Sequence, residues 1–134
     1  MLGDLLGETQ GHDTGRRVLA AEDGHVVVEV SFEGTGNYYG TAVTGFGTYD
    51  SELGADGLLH GEGQGVDMTA DGQTVTWHGI GLGHFTEGGG TSWRGSLFFS
   101  TSSAVFDRLN HVVGLFEYEV SADGKSTGKF YEWK

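Results

Sequence analysis

Residues 58–68 read LLHGEGQGVDM, and this stretch decides the fold that the sequence predicts. Glycine stands at alternate positions, Gly61, Gly63 and Gly65, with Glu62 and Gln64 between them. Because successive side chains of a strand point to opposite faces, a strand here has one face of bare backbone and one polar face. The face that points inward decides whether Glu62 is a candidate catalytic group or a surface residue.

The same alternation extends along the chain in both directions, with little helical periodicity. Asp-Gly or Gly-Gly turns, which favour hairpins, occur in five segments: AEDGH (21–25), LGADG (53–57), TADGQ (69–73), TEGGG (86–90) and SADGK (121–125). Strands are predicted over residues 14–20, 25–36, 37–50, 57–68, 73–85, 91–102, 111–120 and 127–134. Ser103 is expected to cap a short helix over residues 103–111.

About eight strands joined by short turns predict an all-β fold: one antiparallel up-and-down β-barrel spanning residues 1–134. A sandwich of two sheets is the competing architecture. Closure removes the strand edges that proline and lysine usually protect, and the chain has no proline and only three lysines, at 125, 129 and 134. Closure is therefore the favoured interpretation.

Composition narrows the classes of function. The formal net charge is −12, with 7 Lys and Arg against 19 Asp and Glu, which disfavours nucleic acid and anionic membranes as partners. The absence of cysteine excludes disulfides, zinc–thiolate sites and thiol nucleophiles. No segment is typical of a secretory signal or a membrane span, so we expect a cytoplasmic protein.

The glycines tend to share strand parity with large aromatic residues. Gly79, Gly81 and Gly83 lie in phase with Trp77, and Gly95 lies in phase with Trp93. An eight-stranded barrel has room inside for side chains or for one small ligand, so glycine leaves space for bulky rings. The glycines then either complete a solid core or leave a cavity for a small apolar molecule, lined by Tyr49, Trp77, Trp93, Phe99 and Tyr118.

The opposite strand face carries the candidate catalytic residues, Glu62, His78, His84 and Arg94. Pointing inward, they would form a polar, catalytic pocket. Pointing outward together with Ile80, Leu82 and Phe98, they would form a subunit interface of a dimer or trimer. The shared parity of glycine and aromatic residues favours the outward orientation, and we expect a homo-oligomer.

The motifs do not indicate a cofactor. GEGQGV and GIGLGHF lack the strand-to-helix context of phosphate-binding loops, and no nucleophile elbow is present. The spacing of His60, Glu62, His78 and His84 matches no specific metal-binding pattern. We therefore expect neither a cofactor nor a metal.

The run TWHGIGLGHFTEGGGTSWRGSLFF resembles the paired central strands of the allene oxide cyclase-like barrel superfamily. The matching positions are Gly79, Gly81, Gly83, Phe85, Gly88–Gly90, Gly95 and Leu97–Phe99, and GLLHGEGQGV resembles the preceding strand. The resemblance covers roughly residues 56–100 and implies an eight-stranded barrel, often oligomeric, in a group that includes cyclases and dirigent proteins. The plant cyclases use a buried carboxylate and a water-binding polar cluster, for which this sequence shows no matching residues.

A second resemblance, to avidins, rests on GTYDSELG, TVTW and TSWRG, but the interval from Trp77 to Trp93 is too short for the avidin arrangement. Three expectations stay open. The barrel binds a small apolar molecule, acts as a cyclase or isomerase on a small hydrophobic substrate, or is a structural barrel with a solid core. Whether the protein is an enzyme is not decided by the sequence.

Overall fold

The computed structural model describes residues 1–21 and 23–134, and within them the chain forms a closed antiparallel β-barrel of eight strands. Each strand pairs with its neighbour in sequence, and the last strand pairs with the first. The predicted up-and-down barrel is confirmed, and the sandwich is excluded. The strands are β1 Leu2–Leu19, β2 Val26–Tyr38, β3 Thr41–Leu53, β4 Leu59–Met68, β5 Thr74–Phe85, β6 Thr91–Ser100, β7 Gly114–Val120 and β8 Lys125–Trp133.

Glycine-containing turns close the hairpins where the sequence predicted them. Gly57, Gly72, Gly89 and Gly124 all have positive φ angles, between 81° and 87°, which glycine adopts without steric cost. A backbone hydrogen bond from the amide of each of these glycines closes the turn. In the predicted turn over residues 21–25, Gly24 also has a positive φ, of 78°, while residue 22 lies outside the described residues.

The largest differences from the predicted strand boundaries lie at the start of β1 and at the turn between β2 and β3. β1 begins at Leu2 rather than at residue 14. The sequence did not indicate this first half, because glycines such as Gly7 and Gly11 take the place of apolar side chains on its inner face. β2 continues to Tyr38, beyond the predicted end at residue 36. The turn between β2 and β3 lies at Tyr39 and Gly40, which have φ angles of 51° and 80°.

A 3₁₀ helix, Ala104–His111, closes one end of the barrel. Ser103 precedes the helix, as predicted, but its side chain makes no capping hydrogen bond and instead pairs with Gln73. Phe106 and Leu109 of this helix are fully buried. They join a core cluster with six residues of five strands: Leu6, Tyr38, Val43, Val75, Leu97 and Phe99.

The glycines of the GEGQGV stretch face the barrel interior. A Cβ atom added at Gly61 would lie 2.6 Å from the Trp93 ring, and one at Gly65 would lie 2.5 Å from the Trp77 ring. One at Gly63 would lie 2.5 Å from the Cβ atom of Tyr49. Each glycine therefore leaves the space that an aromatic residue of another strand occupies, as the shared parity predicted.

Across the described part of the chain, no helix has both the length and the apolar character needed to cross a membrane.

Candidate functional site

An aromatic wall lines the middle of the barrel. Phe32 of β2 lies with its ring centroid 5.9 Å from that of Tyr49, 6.1 Å from that of Trp77 and 6.0 Å from that of Tyr118. Tyr49 in turn contacts the Trp93 ring at 5.6 Å in an edge-to-face geometry. Rings from β2, β3, β5, β6 and β7 thus meet across the interior, because inward positions of these strands alternate between aromatic residues and glycine.

A cavity of about 100 Å³ lies against this wall. Its volume exceeds what one water molecule needs and approaches that of an engineered apolar cavity that binds benzene, about 150 Å³. Four of the predicted ligand-binding residues, Tyr49, Trp77, Trp93 and Tyr118, contribute to its lining, and the sequence did not single out Phe32 and Phe116, which also do. The interior is therefore well packed without being completely filled.

Phe99, the fifth predicted ligand-binding residue, is separate from the cavity wall. Its ring lies 5.7 Å from that of Tyr38, in the cluster that the 3₁₀ helix covers. It faces the interior, but at the closed end of the barrel.

A partly buried carboxyl group, that of Asp67, reaches the cavity near the closed end of the barrel. The Tyr38 hydroxyl donates a hydrogen bond to its Oδ2 atom over 2.6 Å. Burial raises the pKa of Asp67, and the hydrogen bond from Tyr38 partly offsets that shift. Burial also raises the pKa of Tyr38, so this phenol is a neutral donor at ordinary pH.

Asp67 was not singled out from the sequence, although a signal was present. It lies two residues after Gly65 and so shares the inward parity of Gly61, Gly63 and Gly65. Its Oδ1 atom occupies the space beside Gly45, where an added Cβ would lie only 1.8 Å away. Asp67 could therefore have been predicted as an inward polar residue, because it shares strand parity with the inward glycines.

The other end of the barrel carries a second set of polar groups. Asp13 of β1 is paired in register with Phe32, on the inner face, and its backbone amide donates to the Gly124 carbonyl over 2.8 Å. Burial raises the pKa of Asp13, an effect that the charges of Arg16 and His12 partly offset. Asp13 also lines the open mouth of the barrel together with Tyr49.

The four catalytic candidates from the sequence all point away from the cavity. Glu62 and His78 are exposed and form a pair with 2.8 Å between Oε1 and Nε2. Arg94 extends along the surface to Glu119, with 2.8 Å between Nη1 and Oε1, and His84 is also exposed. Their side chains occupy the strand positions opposite to the inward glycines, which is the outward orientation that the shared parity favoured.

These residues belong to an exposed surface that includes apolar side chains. Ile80 is 55% exposed and Phe98 is 53% exposed, and Leu82 is exposed beside them. In the strand register His78 pairs with Phe98, and Glu62 pairs with Ile80. We call the outward residues Glu62, His78, Ile80, Leu82, Arg94 and Phe98 the outer strip.

Known structures with the same architecture come from several organisms. A conserved protein of unknown function from Rhodopseudomonas palustris has a TM-score of 0.81 and 14% identity, covering 98% of this chain and 97% of its own. A β-barrel-like protein from Acinetobacter baumannii has a TM-score of 0.79 and 16% identity, with coverages of 100% and 96%. An enzyme from Penicillium herquei has a TM-score of 0.68 and 16% identity, with coverages of 96% and 92%.

At these identities the likeness establishes the fold alone. No family model matches the chain, and no curated protein matches it in sequence.

Proposed function

We propose that the chain binds a small, largely apolar molecule inside its barrel. The observation that carries this proposal is the cavity of about 100 Å³ against the aromatic wall. Binding sites for small molecules are typically apolar concavities with a few polar groups that set orientation. This volume is about two-thirds of that of a benzene-binding cavity of about 150 Å³, so the ligand is no larger than about one aromatic ring.

The proposal is tested by titrating toluene into the protein and following tryptophan fluorescence, because Trp77 and Trp93 line the cavity. We expect a saturable change that is weakened in Val43→Ile, since Val43 lines the cavity and an added methylene fills part of it. Val18→Ile is the matched control, because Val18 is 80% exposed on β1. A linear, unsaturable response in the wild type would favour a structural barrel without a binding site.

A second candidate function, a cyclase or isomerase acting on a small hydrophobic substrate, is favoured by Asp67. Its carboxyl group lies in the cavity wall with a raised pKa and a neutral phenol beside it, an arrangement suited to moving a proton to or from a bound molecule. The resemblance to allene oxide cyclase-like barrels supports this candidate, as does the likeness of the fold to an enzyme from Penicillium herquei.

Cyclohexanone tests this second candidate, because it is small and apolar and has exchangeable protons beside its carbonyl group. An acid–base group in the cavity should accelerate the incorporation of deuterium from heavy water, measured by NMR. Asp67→Asn should abolish the acceleration, whereas Asp50→Asn, which changes an exposed carboxylate on β3, should preserve it. Equal exchange rates with and without the protein would oppose catalysis by Asp67 while leaving binding intact.

We further propose that the chain associates with copies of itself through the outer strip. Exposed apolar residues that lie among charged ones are typical of a subunit interface. The strip carries a carboxylate, a guanidinium group and an imidazole, at Glu62, Arg94 and His78. A copy related by a two-fold axis would present the same surface, so the apolar side chains of the two copies would meet across it.

A further inference from the structure

The open end of the barrel forms a basin that is separate from the cavity. Its volume is about 530 Å³, within the range of about 300–1,000 Å³ that is typical of small-molecule sites, whereas the cavity measures about 100 Å³. Of the described residues, only Tyr49 and Trp93 line both spaces, and their rings meet edge to face with centroids 5.6 Å apart. This pair of rings therefore divides the two spaces, and we call the outer one the mouth basin.

The inner faces of four neighbouring strands give the mouth basin apolar walls. Val26 of β2 is paired in register with Leu53 of β3, and Leu53 is paired with Leu59 of β4. Val28, on the same face of β2 as Val26, lines the basin as well, and Phe85 lines it from the end of β5. Apolar side chains from these strands thus surround one opening.

Two of these side chains are exposed although they occupy inner strand positions. Phe85 is 59% exposed and Val26 is 54% exposed, whereas Trp93 at the floor of the basin is only 4% exposed. The 3₁₀ helix covers the opposite end of the barrel, and the exposure of Phe85 and Val26 shows that no described segment covers the mouth in the same way. Apolar surface gathered at one opening is typical of a site that another molecule covers.

The shape of the mouth basin favours a small molecule over a protein surface. The buried Trp93 ring contributes to its floor and the strands form its sides, so the apolar contacts lie within a recess. The outer face of a second barrel is convex, and it would cover Phe85 and Val26 at the rim while leaving the recess empty. A molecule that enters the recess contacts the rim and the floor together, and it therefore buries more apolar area.

The charges at the mouth disfavour an ionic ligand. The charged residues that line the mouth basin in the described part of the chain are Asp13, Arg16 and Asp123. The Ser121 hydroxyl lowers the pKa of Asp123, so this carboxylate is ionised at neutral pH and offsets the positive charge of Arg16. The formal net charge of −12 on the chain repels anions. An ionic group of either sign would also lose water against the apolar walls.

We propose that the mouth basin is a second binding site, which takes a neutral apolar molecule larger than one aromatic ring, such as a set of linked rings or a hydrocarbon chain. Its body contacts Val26, Leu53 and Phe85 on the walls and the rings of Tyr49 and Trp93 on the floor. This inference goes beyond the proposed function, because the mouth basin lies outside the Tyr49–Trp93 pair and its ligand does not have to enter the cavity.

The fluorescent probe N-phenyl-1-naphthylamine tests this site, because it is neutral and its three aromatic rings exceed a cavity that holds at most about one. Its emission rises in apolar surroundings, and we expect a saturable increase with the wild type. Phe85→Gln and Val26→Gln should each weaken binding about 10-fold, because a polar side chain replaces an apolar contact. Both residues are more than half exposed, so we expect both variants to fold.

Two control variants make the same changes elsewhere on the surface. Phe46, on the outer face of β3, is 58% exposed, and Val105, on the 3₁₀ helix at the closed end, is 56% exposed. Phe46→Gln and Val105→Gln should leave the dissociation constant of the probe unchanged. An equal loss of affinity in Phe85→Gln and Phe46→Gln would overturn the mouth basin as the binding site.

The charge of the ligand is tested with 8-anilinonaphthalene-1-sulfonate, which has the same three rings and adds a sulfonate. We expect it to bind the wild type more weakly than the neutral probe, by a margin that narrows as salt screens the repulsion. Tighter binding of the sulfonate would contradict a neutral ligand.

Further measurements separate the mouth basin from the cavity and from contacts between copies. Val43→Ile, which fills part of the cavity, should leave the affinity for N-phenyl-1-naphthylamine unchanged, and toluene should not displace this probe. If Val43→Ile weakens the probe as much as Phe85→Gln does, the probe occupies the cavity and the inference fails. If the wild type gives no saturable signal with the probe, the mouth site is wrong while toluene binding in the cavity can still stand. A fall in the mass of Phe85→Gln by light scattering would assign the mouth to contact between copies and would also overturn the inference.

Discussion

At the scale of single residues, the barrel depends on exact pairs of glycine and aromatic side chain. Gly65 on β4 accommodates Trp77 of the adjacent strand β5, and Gly61 accommodates Trp93 of β6, two strands away. Protein interiors are packed as densely as organic crystals, so even one added methyl group must displace a neighbour. The positions of the alternating glycines therefore indicate where the large aromatic rings lie in the barrel.

Gly65→Ala should therefore destabilise the protein by about 1–3 kcal/mol, the usual cost of overpacking a core. The new Cβ atom would lie 2.5 Å from Cε2 and Cζ2 of Trp77. Urea unfolding followed by fluorescence measures the change. Gly15→Ala is the control, because a Cβ atom there meets nothing within 4 Å. Equal unfolding midpoints for Gly65→Ala and the wild type would contradict the packing argument.

Asp67 contributes a second prediction at this scale, on the pH dependence of stability. Its folded-state pKa is raised above the ordinary value of 3.8, so the folded protein holds this proton more tightly than the unfolded chain. The resulting stabilisation is fully present below pH 3.8 and is lost as the pH rises through the folded-state pKa. Asp13, whose pKa is also raised, acts in the same direction.

Asp67→Asn removes this titration while keeping an oxygen that can accept from Tyr38. Between pH 4 and 7, the wild type should therefore lose stability relative to Asp67→Asn as the pH rises. Urea unfolding at several pH values measures the difference, and Asp50→Asn serves as the exposed control. A difference between wild type and Asp67→Asn that is independent of pH would contradict the raised pKa.

At the scale of elements, the 3₁₀ helix closes the barrel end opposite Asp13. The Phe106 ring lies 6.0 Å from that of Tyr38, the residue that holds Asp67. The helix therefore packs against Tyr38, and Tyr38 in turn donates the hydrogen bond that holds Asp67 in the cavity wall. Arg108 of the same helix forms ion pairs with Asp4 and Glu132, which tie it to β1 and β8.

Phe106→Ala should cost about 3–5 kcal/mol, as is typical of deleting a fully buried phenylalanine. Val105→Ala, which changes a residue that is 56% exposed on the same helix, should have little effect. Denaturant unfolding compares the two variants. Similar unfolding midpoints for the two variants would contradict the tight packing of Phe106 at the closed end of the barrel.

The elements also show where sequence reasoning succeeds and where it stops. Asp-Gly turns and alternating apolar residues predicted β3 to β6 and their order, because each such strand carries its own local signal. The first half of β1 gave no such signal, since after Leu6 its inner positions are Gly7, Thr9 and Gly11 and the outer positions between them are polar. The turn at Tyr39 was missed because tyrosine is uncommon at positive φ.

At the scale of the whole molecule, closure of the sheet explains what could be predicted of the site. Once glycine and aromatic residues share a face, the closed barrel must bring those rings together, and this located Tyr49, Trp77, Trp93 and Tyr118 in one wall. The polar groups of the interior, Asp13 and Asp67, followed the same parity. Asp67 was missed because polar residues are usually assigned to the surface, and Asp13 because the sequence predicted no strand before residue 14.

The outer strip and the net charge make opposing contributions to self-association. Burying the apolar side chains favours contact between copies, while a formal charge of −12 on each opposes it. Salt screens repulsion between surface charges, with a Debye length of about 10 Å at 0.1 M. Association through the strip should therefore strengthen as salt is added, unlike association driven by charge pairs.

Light scattering at increasing salt concentration tests the proposed association. We expect the wild type to form a dimer or trimer, and Ile80→Gln combined with Phe98→Gln to shift it to monomer without loss of the fold, because both side chains are exposed. Val18→Gln, on β1 four strands away, should leave the mass unchanged. A wild type that stays monomeric at high concentration and high salt would rule out the strip as an interface. The exposed apolar side chains would then need a different partner, because their exposure to water costs free energy that contact would recover.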